Sequence, residues 1–584
     1  MASTTALFTG LSGLNANARN IDVIGNNIAN VNTTAYKSSR LMFSTVFSRD
    51  LSLGSAPSDT AGGTNPYQIG YGVKTAGTQR NTTGGSVSAT GDQRDLAIDG
   101  AGYFVVNRDG QDLYTRAGSF RQNSVNDLVA IGGEKLRGYG VDAQFNLTPG
   151  LVDLNIPIGS LTVAEATRNV RFSGNLNADG PLPAQGSRIS LRATATAGLV
   201  AAPGAAPAPT PPNLIEDTTR LTDLEDPLLP ATAARLFSAG QTLEVRGAEK
   251  GNKTLPTAGL AITSGTTVAD LNDFLTAALG IDTSVGPNPD GNTPGVTTDP
   301  ATGALMVVGN TGTVSDLVVD QTDLRLLSAG GAVVRYPFNA AKGAAADGES
   351  VRTTFVAFDS LGTPVEIDVS MVLDARTSSG TTWRYFVESG DDTDVALQVG
   401  TGTIEFDTQG QPVSTLPVTV TLDRANTGAD SPMVVDIAFA SDPGGVTALS
   451  DDHSELAATS RDGAPIGTLS NFAVGPDGVI YGSFTNGTTR VVGQVAVATF
   501  ANAEGLLDLG SSMFQPGANS GTAVVPPAGS SGPGTIIGGA LELSNVDLGE
   551  EFIKLILSST GYSASSRVIR TADELMQQLL VLGR

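Results

Sequence analysis

The chain has 584 residues, too many for one hydrophobic core, so roughly three or four domains are expected. Hydrophobic residues make up 40% and charged residues 16%, with 71 Gly and 30 Pro, a composition that fits β-domains with many turns. A net charge of −24 leaves no basic stripe to replace counterions on phosphate, which argues against a nucleic-acid partner, and the absence of Cys excludes disulfides, thiolate metal sites and cysteine nucleophiles.

The opening residues Met1-Ala2-Ser3-Thr4-Thr5-Ala6 lack a basic stretch followed by an apolar one, so no cleavable signal peptide is expected. No run of about eighteen apolar residues predicts a membrane span. A first helix is predicted from near Ser3 to Asn30 or Thr33. Its apolar or small positions fall at Leu7, Leu11, Leu14, Ala18, Ile21, Gly25 and Ile28, a heptad seam that predicts a coiled-coil partner. Residues 34–71 hold Gly54, Pro57, Gly62, Gly63 and Pro66 without steady periodicity and read as an extended connector, with one short apolar element from Leu41 to Phe47.

Strand signals begin near Gly70. Tyr103 to Val106, the turn Asn107-Arg108-Asp109-Gly110, and Tyr114 to Phe120 predict a hairpin. A second stretch of the same character lies at about 464–540, with a turn at Gly475-Pro476-Asp477-Gly478. Thr354 to Phe358, Ile367 to Leu373 and Trp383 to Val387 predict further strands. Inside residues 180–350 one short helix is predicted from Val268 to Leu279, with Thr267 and Asp270 in capping-box positions and Gly280 as its stop; Ala201 to Pro212 is Ala- and Pro-rich low complexity. A last helix starts after Asn545 or Asp547, carries Glu550 and Glu551 in its first turn, and repeats the heptad at Leu548, Phe552, Leu555, Ser559, Tyr562, Ser566 and Ile569, with Met576 further along the stripe.

The expected fold is multidomain. N- and C-terminal α-helices (1–33 and 545–584) form a coiled-coil-like assembly domain, followed by the connector at 34–71. Discontinuous all-β domains are nested inside: an inner one from 72–145 and 460–544, a middle one from 146–179 and 351–459, and an outer insert at 180–350 that is mainly β or small α+β. Matching helical ends around a β-rich middle suggest a subunit that polymerises through its termini.

Chemistry-bearing constellations are weak. His453 follows Asp451-Asp452, but no motif-borne nucleophile accompanies it. Asp391-Asp392-Thr393-Asp394 and Asp290 depart from the EF-hand loop pattern. Gly100, Gly102 and Gly110 do not join a strand to a helix as a phosphate loop does. No catalytic, cofactor or metal residue is therefore expected, and the chain is read as a structural protein rather than an enzyme.

Leu11-Ser12-Gly13-Leu14 followed by Ile21-Asp22-Val23-Ile24-Gly25-Asn26-Asn27-Ile28-Ala29-Asn30-Val31-Asn32-Thr33 resembles the N-terminal signature of the bacterial flagellar rod and hook axial protein family. Asp95 to Val106 resembles the family's first β-domain motif, and Ser544-Asn545-Val546-Asp547-Leu548 with Tyr562 its C-terminal signature. One departure is Ala35 in Thr33-Thr34-Ala35-Tyr36-Lys37, where the family commonly has Gly. The segment Phe358-Asp359-Ser360-Leu361-Gly362-Thr363-Pro364 resembles the extra β-domain of the hook-type members.

The resemblance implies a structural subunit of the flagellar hook, polymerising into a curved helical tube that passes motor torque to the filament. It further implies export through the flagellar type III apparatus, without a cleaved signal peptide, to the extracellular hook. The implied partners are further copies of the chain, the distal rod, the hook cap and the hook–filament junction protein, with no membrane insertion. The residues that carry assembly are then Leu7, Leu11, Leu14, Ile21, Asn26, Asn27, Ile28, Asn30, Leu548, Phe552, Leu555, Tyr562, Ile569 and Met576. Competing readings are a distal rod subunit of the same family, an extracellular β-rich adhesin oligomerised by its helices, and, with least support, a polysaccharide enzyme using paired carboxylates.

Overall fold

The computed structural model describes all residues except Met1, Thr196, 203–214, 227–233, Thr415, 441–443, 527–532 and 583–584. Most of the low-complexity stretch from Ala201 to Pro212 therefore lies outside the described residues. The chain divides into two compact units, one of residues 1–162 with 468–584 and one of residues 163–467.

The first unit opens with α1 (Ala2–Ala29). Next come β1 (Ser39–Thr45), β2 (Ser48–Ser52), β3 (Tyr67–Gly70) and β4 (Val73–Arg80). These four are one long ribbon: β1 pairs β4, β2 pairs β3, and bridges Ser55–Thr64 and Ser58–Ala61 carry the pairing to its tip. The segment expected to be an extended connector is thus an antiparallel hairpin. It escaped the sequence reading because β2 and β3 are exposed on both faces, and a bulge at Met42/Phe43 interrupts the partly buried alternation of β1 and β4. Gly54 and Gly63, which read as loop breakers, hold positive φ of 75° and 70° inside the ribbon, and a Cβ on Gly54 would stand 2.3 Å from the Thr64 carbonyl.

β5 (Val87–Ala89), β6 (Leu96–Asp99), β7 (Tyr103–Arg108) and β8 (Gln111–Thr115) follow. β7 and β8 form the predicted hairpin, with Asp109 and Gly110 both at positive φ in its two-residue turn. Each of these strands takes a partner from the far end of the chain: Ala540–Glu542 on β5, Thr535–Gly538 on β6, Val497–Ala498 on β7 and Met513–Gln515 on β8. Tyr103, Tyr114, Phe500 and Phe514 join them through edge-to-face ring contacts. The strand Leu147–Asp153, expected in the middle domain, pairs Lys135–Val141 here instead, so the chain leaves this unit at 162/163 rather than at 145/146. α3 (Leu548–Leu582) closes the unit. Asp547 caps it, its Oδ1 accepting from the N–H of Gly549 at 2.8 Å and of Glu550 at 3.1 Å.

In the second unit a four-stranded meander, Ser350–Phe358, Pro364–Thr377, Gly380–Glu388 and Gln398–Phe406, faces a sheet of Val418–Leu422, Met433–Ala438, Asn169–Asn175, Val446–Thr447 and Glu455–Arg461. Trp383, the chain's single tryptophan, is fully buried between them with Phe172, Ile367, Val369 and Leu373. A separate core gathers residues 189–338 around α2 (Val268–Ala278), which carries the predicted capping box between Thr267 and Asp270. Ile367→Ala should therefore destabilise this unit by about 2–5 kcal/mol, the range for truncating a buried aliphatic side chain. Urea unfolding followed by Trp383 emission checks it.

Candidate assembly site

α1 and α3 run antiparallel: Gly10 and Gly13 lie against Ser565 and Ile569, whereas Asn27 lies against Glu551. Most of the residues that meet are small or polar, and Ile569, a residue of the expected heptad, meets them at Gly10. A Cβ on Gly10 would stand 2.9 Å from Ile569 Cγ1, one on Gly13 2.8 Å from Ser565 Oγ, and one on Gly561 3.0 Å from the Asn17 amide. Asn20 Nδ2 donates to Ser558 Oγ at 2.7 Å, and Asn27 Nδ2 to Glu551 Oε2 at 3.1 Å. The buried positions are Gly10, Ala16, Ile24 and Asn27 on α1 and Glu551, Ser558 and Ala572 on α3.

This seam is not the expected heptad. Gly10, Gly13, Asn17, Asn20 and Asn27 each precede by one residue the expected Leu11, Leu14, Ala18, Ile21 and Ile28, and Glu551, Ser558, Gly561 and Ser565 likewise precede Phe552, Ser559, Tyr562 and Ser566. One residue is about 100° of rotation, so both helices are turned away from their leucine stripes. Glycine and serine let the two backbones approach, and the buried Asn27 and Glu551 side chains need each other as hydrogen-bond partners. Leu7, Leu14, Ile21, Ile28, Leu555, Ile569 and Met576 end up partly buried, and Leu11, Leu548, Phe552 and Tyr562 exposed.

The Asn26 to Asn30 motif works as the exit from α1. Asn27 Oδ1 accepts from the Ser39 N–H at 3.0 Å and from the Tyr36 hydroxyl at 3.2 Å, while its Nδ2 also donates to the Ser39 carbonyl at 2.8 Å. Asn26 Nδ2 donates to the Tyr36 hydroxyl at 3.0 Å, Asn30 Nδ2 to the Asn26 carbonyl at 2.9 Å, and Thr33 Oγ1 to Asn30 Oδ1 at 3.0 Å. The chain then turns through buried Ala35 at φ 57°, whose N–H donates to the Glu542 carbonyl at 2.9 Å. Positive φ is needed at this turn, and here an alanine adopts it.

Lys37 comes next, and it is buried. Its ammonium donates to the Thr83 carbonyl at 2.7 Å and to Glu542 Oε1 at 2.5 Å. Glu542 also accepts from the Gly85 N–H at 2.8 Å and faces Arg116 Nη1 at 3.3 Å; Arg116 itself donates to the carbonyls of Ile98 at 3.0 Å and Gly100 at 2.5 Å. Burial pushes the Lys37 ammonium below the ordinary lysine value, against the hydrogen bond and charge of Glu542, which pull it back up. Asn545, one of two expected helix caps, instead accepts from the Ser38 N–H at 2.8 Å and donates to the carbonyls of Asn81 and Thr83 at 3.0 and 3.1 Å. One knot thus ties the end of α1, β6 and the approach to α3.

Lys37, Arg116, Glu542 and Glu551 were not among the expected residues. Their signal was weak, because each is a candidate for burial only once its distant partner is known. The carboxylates at 391, 392 and 394 accept backbone N–H groups of Glu366, Asp394 and Ala396, a turn-capping role. Among the described residues no three His, Cys, Asp or Glu side chains converge as metal ligands. His453 is exposed.

Two outcomes follow from this geometry. Ala35→Gly should stabilise the first unit by up to about 1 kcal/mol, the left-handed cost of an L-residue less the entropy that glycine loses; differential scanning calorimetry reads it. Lys37→Met should destabilise by about 1–3 kcal/mol, because the Thr83 carbonyl and Glu542 each lose a buried hydrogen-bond donor while Arg116 keeps the Glu542 charge compensated. Because the folded-state pKa of Lys37 is lowered, the unfolded chain binds more protons in the alkaline range below 10.5, so this group makes stability rise with pH there. That alkaline increment should be missing from Lys37→Met in denaturant titrations at stepped pH.

Comparison with known proteins agrees along the whole length. Residues 7–37 match the family described as flagella basal body rod protein, and 537–582 the flagellar basal body rod FlgEFG protein C-terminal family. Residues 97–177 match the flagellar hook protein FlgE/F/G D1 domain, and 332–464 the flagellar basal body protein FlaE D2 domain. The flagellar hook protein FlgE of Treponema pallidum (strain Nichols) is 27% identical over 587 residues, covering 99% of either chain. That of Borreliella burgdorferi is 26% identical over 583 residues, also covering 99% of each. That of Caulobacter vibrioides is 27% identical over 648 residues, covering 100% of each. With rod-type ends, the hook-protein D1 and D2 domains between them, and full-length likeness to hook proteins, the chain belongs to the flagellar rod and hook axial protein family, on its hook branch.

Proposed function

We propose that this chain builds the flagellar hook by polymerising through its terminal helices into a curved helical tube, the universal joint between motor and filament. The observation that carries this reading is the apolar surface left over when α1 and α3 pair. Phe8 is 63% exposed, Phe552 50%, Ile556 65% and Leu580 71%, and Leu11, Ile553, Leu557, Leu575 and Leu579 are exposed beside them. Exposed large apolar side chains repeated along two long helices mark an interaction surface. The heptad residues that do not serve the intrachain seam are free to serve neighbouring copies.

A division of labour follows. Helix pairs from successive subunits pack as an inner tube, where burying leucine and isoleucine resists twist. The β-domains outside touch through more polar, wetter contacts, which lose little when they exchange partners as the curved tube rotates. Copies of this chain are the main partner; the distal rod, the hook cap and the hook–filament junction protein meet it at the two ends of the tube. Export through the flagellar type III apparatus, without removal of an N-terminal segment, brings it to the extracellular hook. The rival reading as a distal rod subunit is disfavoured by the insert-bearing middle of the chain, residues 163–467.

Leu14→Asp or Phe552→Asp should abolish hook assembly while Trp383 emission stays unchanged, since both lie on helices and the tryptophan reports the second unit. Secreted variant protein that still builds hooks of normal length in electron micrographs would refute the helix-driven tube. Immunogold labelling with antibody against residues 180–350 should mark only a short curved segment between cell body and filament.

A further inference from the structure

Residues beyond Ala178 leave the middle β-structure of the second unit and return to it near Glu349, and this neck is tied on both sides. Arg376, on the strand Pro364–Thr377, donates to the carbonyls of Ala178 at 2.8 Å and Gly180 at 2.7 Å. Asp347 Oδ1 accepts from the N–H groups of Ala184 and Gln185 at 2.7 and 2.9 Å, and the Glu349 N–H reaches the Pro181 carbonyl at 2.8 Å. A two-segment neck by itself is a hinge about which the outer residues swing.

The same strand carries a second attachment eight to ten residues away, about 26–33 Å at roughly 3.3 Å per residue. Lys253 Nζ donates to Glu366 Oε1 at 2.7 Å and to Asp368 Oδ2 at 2.6 Å. Beside it Lys250, almost fully buried, donates to the Glu388 carboxylate and, at 2.6 Å, to the Gly280 carbonyl. Arg352 reaches across to the Lys250 carbonyl at 2.7 Å. Apolar contact reinforces the polar set: a Cβ on Gly390 would stand 2.7 Å from Pro256, and Leu397 packs against the core of the outer insert. The insert supplies both lysines, and the middle sheet supplies the three carboxylates that receive them.

We infer that the outer insert does not swing on its neck: the neck and the lysine–carboxylate seam lock residues 180–349 onto the middle sheet as one stiff body, with Lys250 and Glu388 as the lock. Two anchors far apart on one strand remove the rotation that either alone would permit. A buried ion pair suits this task, because its value lies in fixing one arrangement rather than in net attraction. The inference rests on contacts inside the second unit and stands apart from the hook reading.

The chain has no cysteine, so Gln321→Cys in the insert and Glu405→Cys on the middle sheet, both exposed, create two unique spin-label positions. Double electron–electron resonance on the full-length labelled chain should give one narrow distance peak. Lys250→Met should lose that peak to a broad distribution with Trp383 emission unchanged. A broad distribution in the labelled parent overturns the stiff body. A peak that stays narrow in Lys250→Met overturns the pair as its lock. Where Lys250→Met shifts the Trp383 emission, Glu388→Gln replaces it with the same two outcomes.

Discussion

The organisation of this chain depends on how closely its two terminal helices approach. Glycine and serine at Gly10, Gly13, Ser558, Gly561 and Ser565 bring the backbones together, and polar pairs, Asn20 with Ser558 and Asn27 with Glu551, fix the rotation of each helix. With these positions turned inward, leucine and isoleucine side chains are left facing out. A seam of leucines would have satisfied the pair internally and left little for a neighbour to bind. The small-residue seam separates the two tasks: polar specificity holds one chain together, and apolar surface joins one chain to the next.

That arrangement reaches the rest of the first unit through the exit from α1. Asn27 bonds at once to α3, to Tyr36 and to the first residue of β1, so the helix register and the start of the ribbon are set by one side chain. Two positions further on from Ala35, the Lys37–Glu542–Arg116 set joins segments from the two ends of the chain. Such a set contributes little net attraction once desolvation is counted, but it admits one geometry only. The path of force from helix to β-structure runs through groups that tolerate no slack.

Periodicity and turn chemistry made much of the fold legible: helices at both ends, the capped α2, the β7–β8 hairpin with its Asp109-Gly110 turn, and the strands around Trp383. Three things were hidden, each for a physical reason. In the ribbon, β2 and β3 bury neither face, and the partly buried alternation of β1 and β4 is broken by a bulge. The helix seam was placed on leucines, because a heptad pattern reports where apolar side chains lie and says nothing of which partner covers them. Lys37, Arg116, Glu542 and Glu551 became visible only as partners, since burial of a charge is a property of a pair and a sequence presents its residues singly. For the assembly site the Asn26 to Asn30 motif was legible as a signature, but its work as a helix exit needed Tyr36 and Ser39 beside it.

The neck at Asp347 and Glu349 has a consequence for how such chains diversify. The outgoing and returning segments are bonded to each other at the root, so the excursion above them begins and ends at one fixed place whatever its length. Lengthening a closed loop costs little, about 0.6 kcal/mol per doubling for a flexible one. Residues of the excursion can therefore be gained or lost at small entropic cost, while the strands beneath the neck keep their spacing.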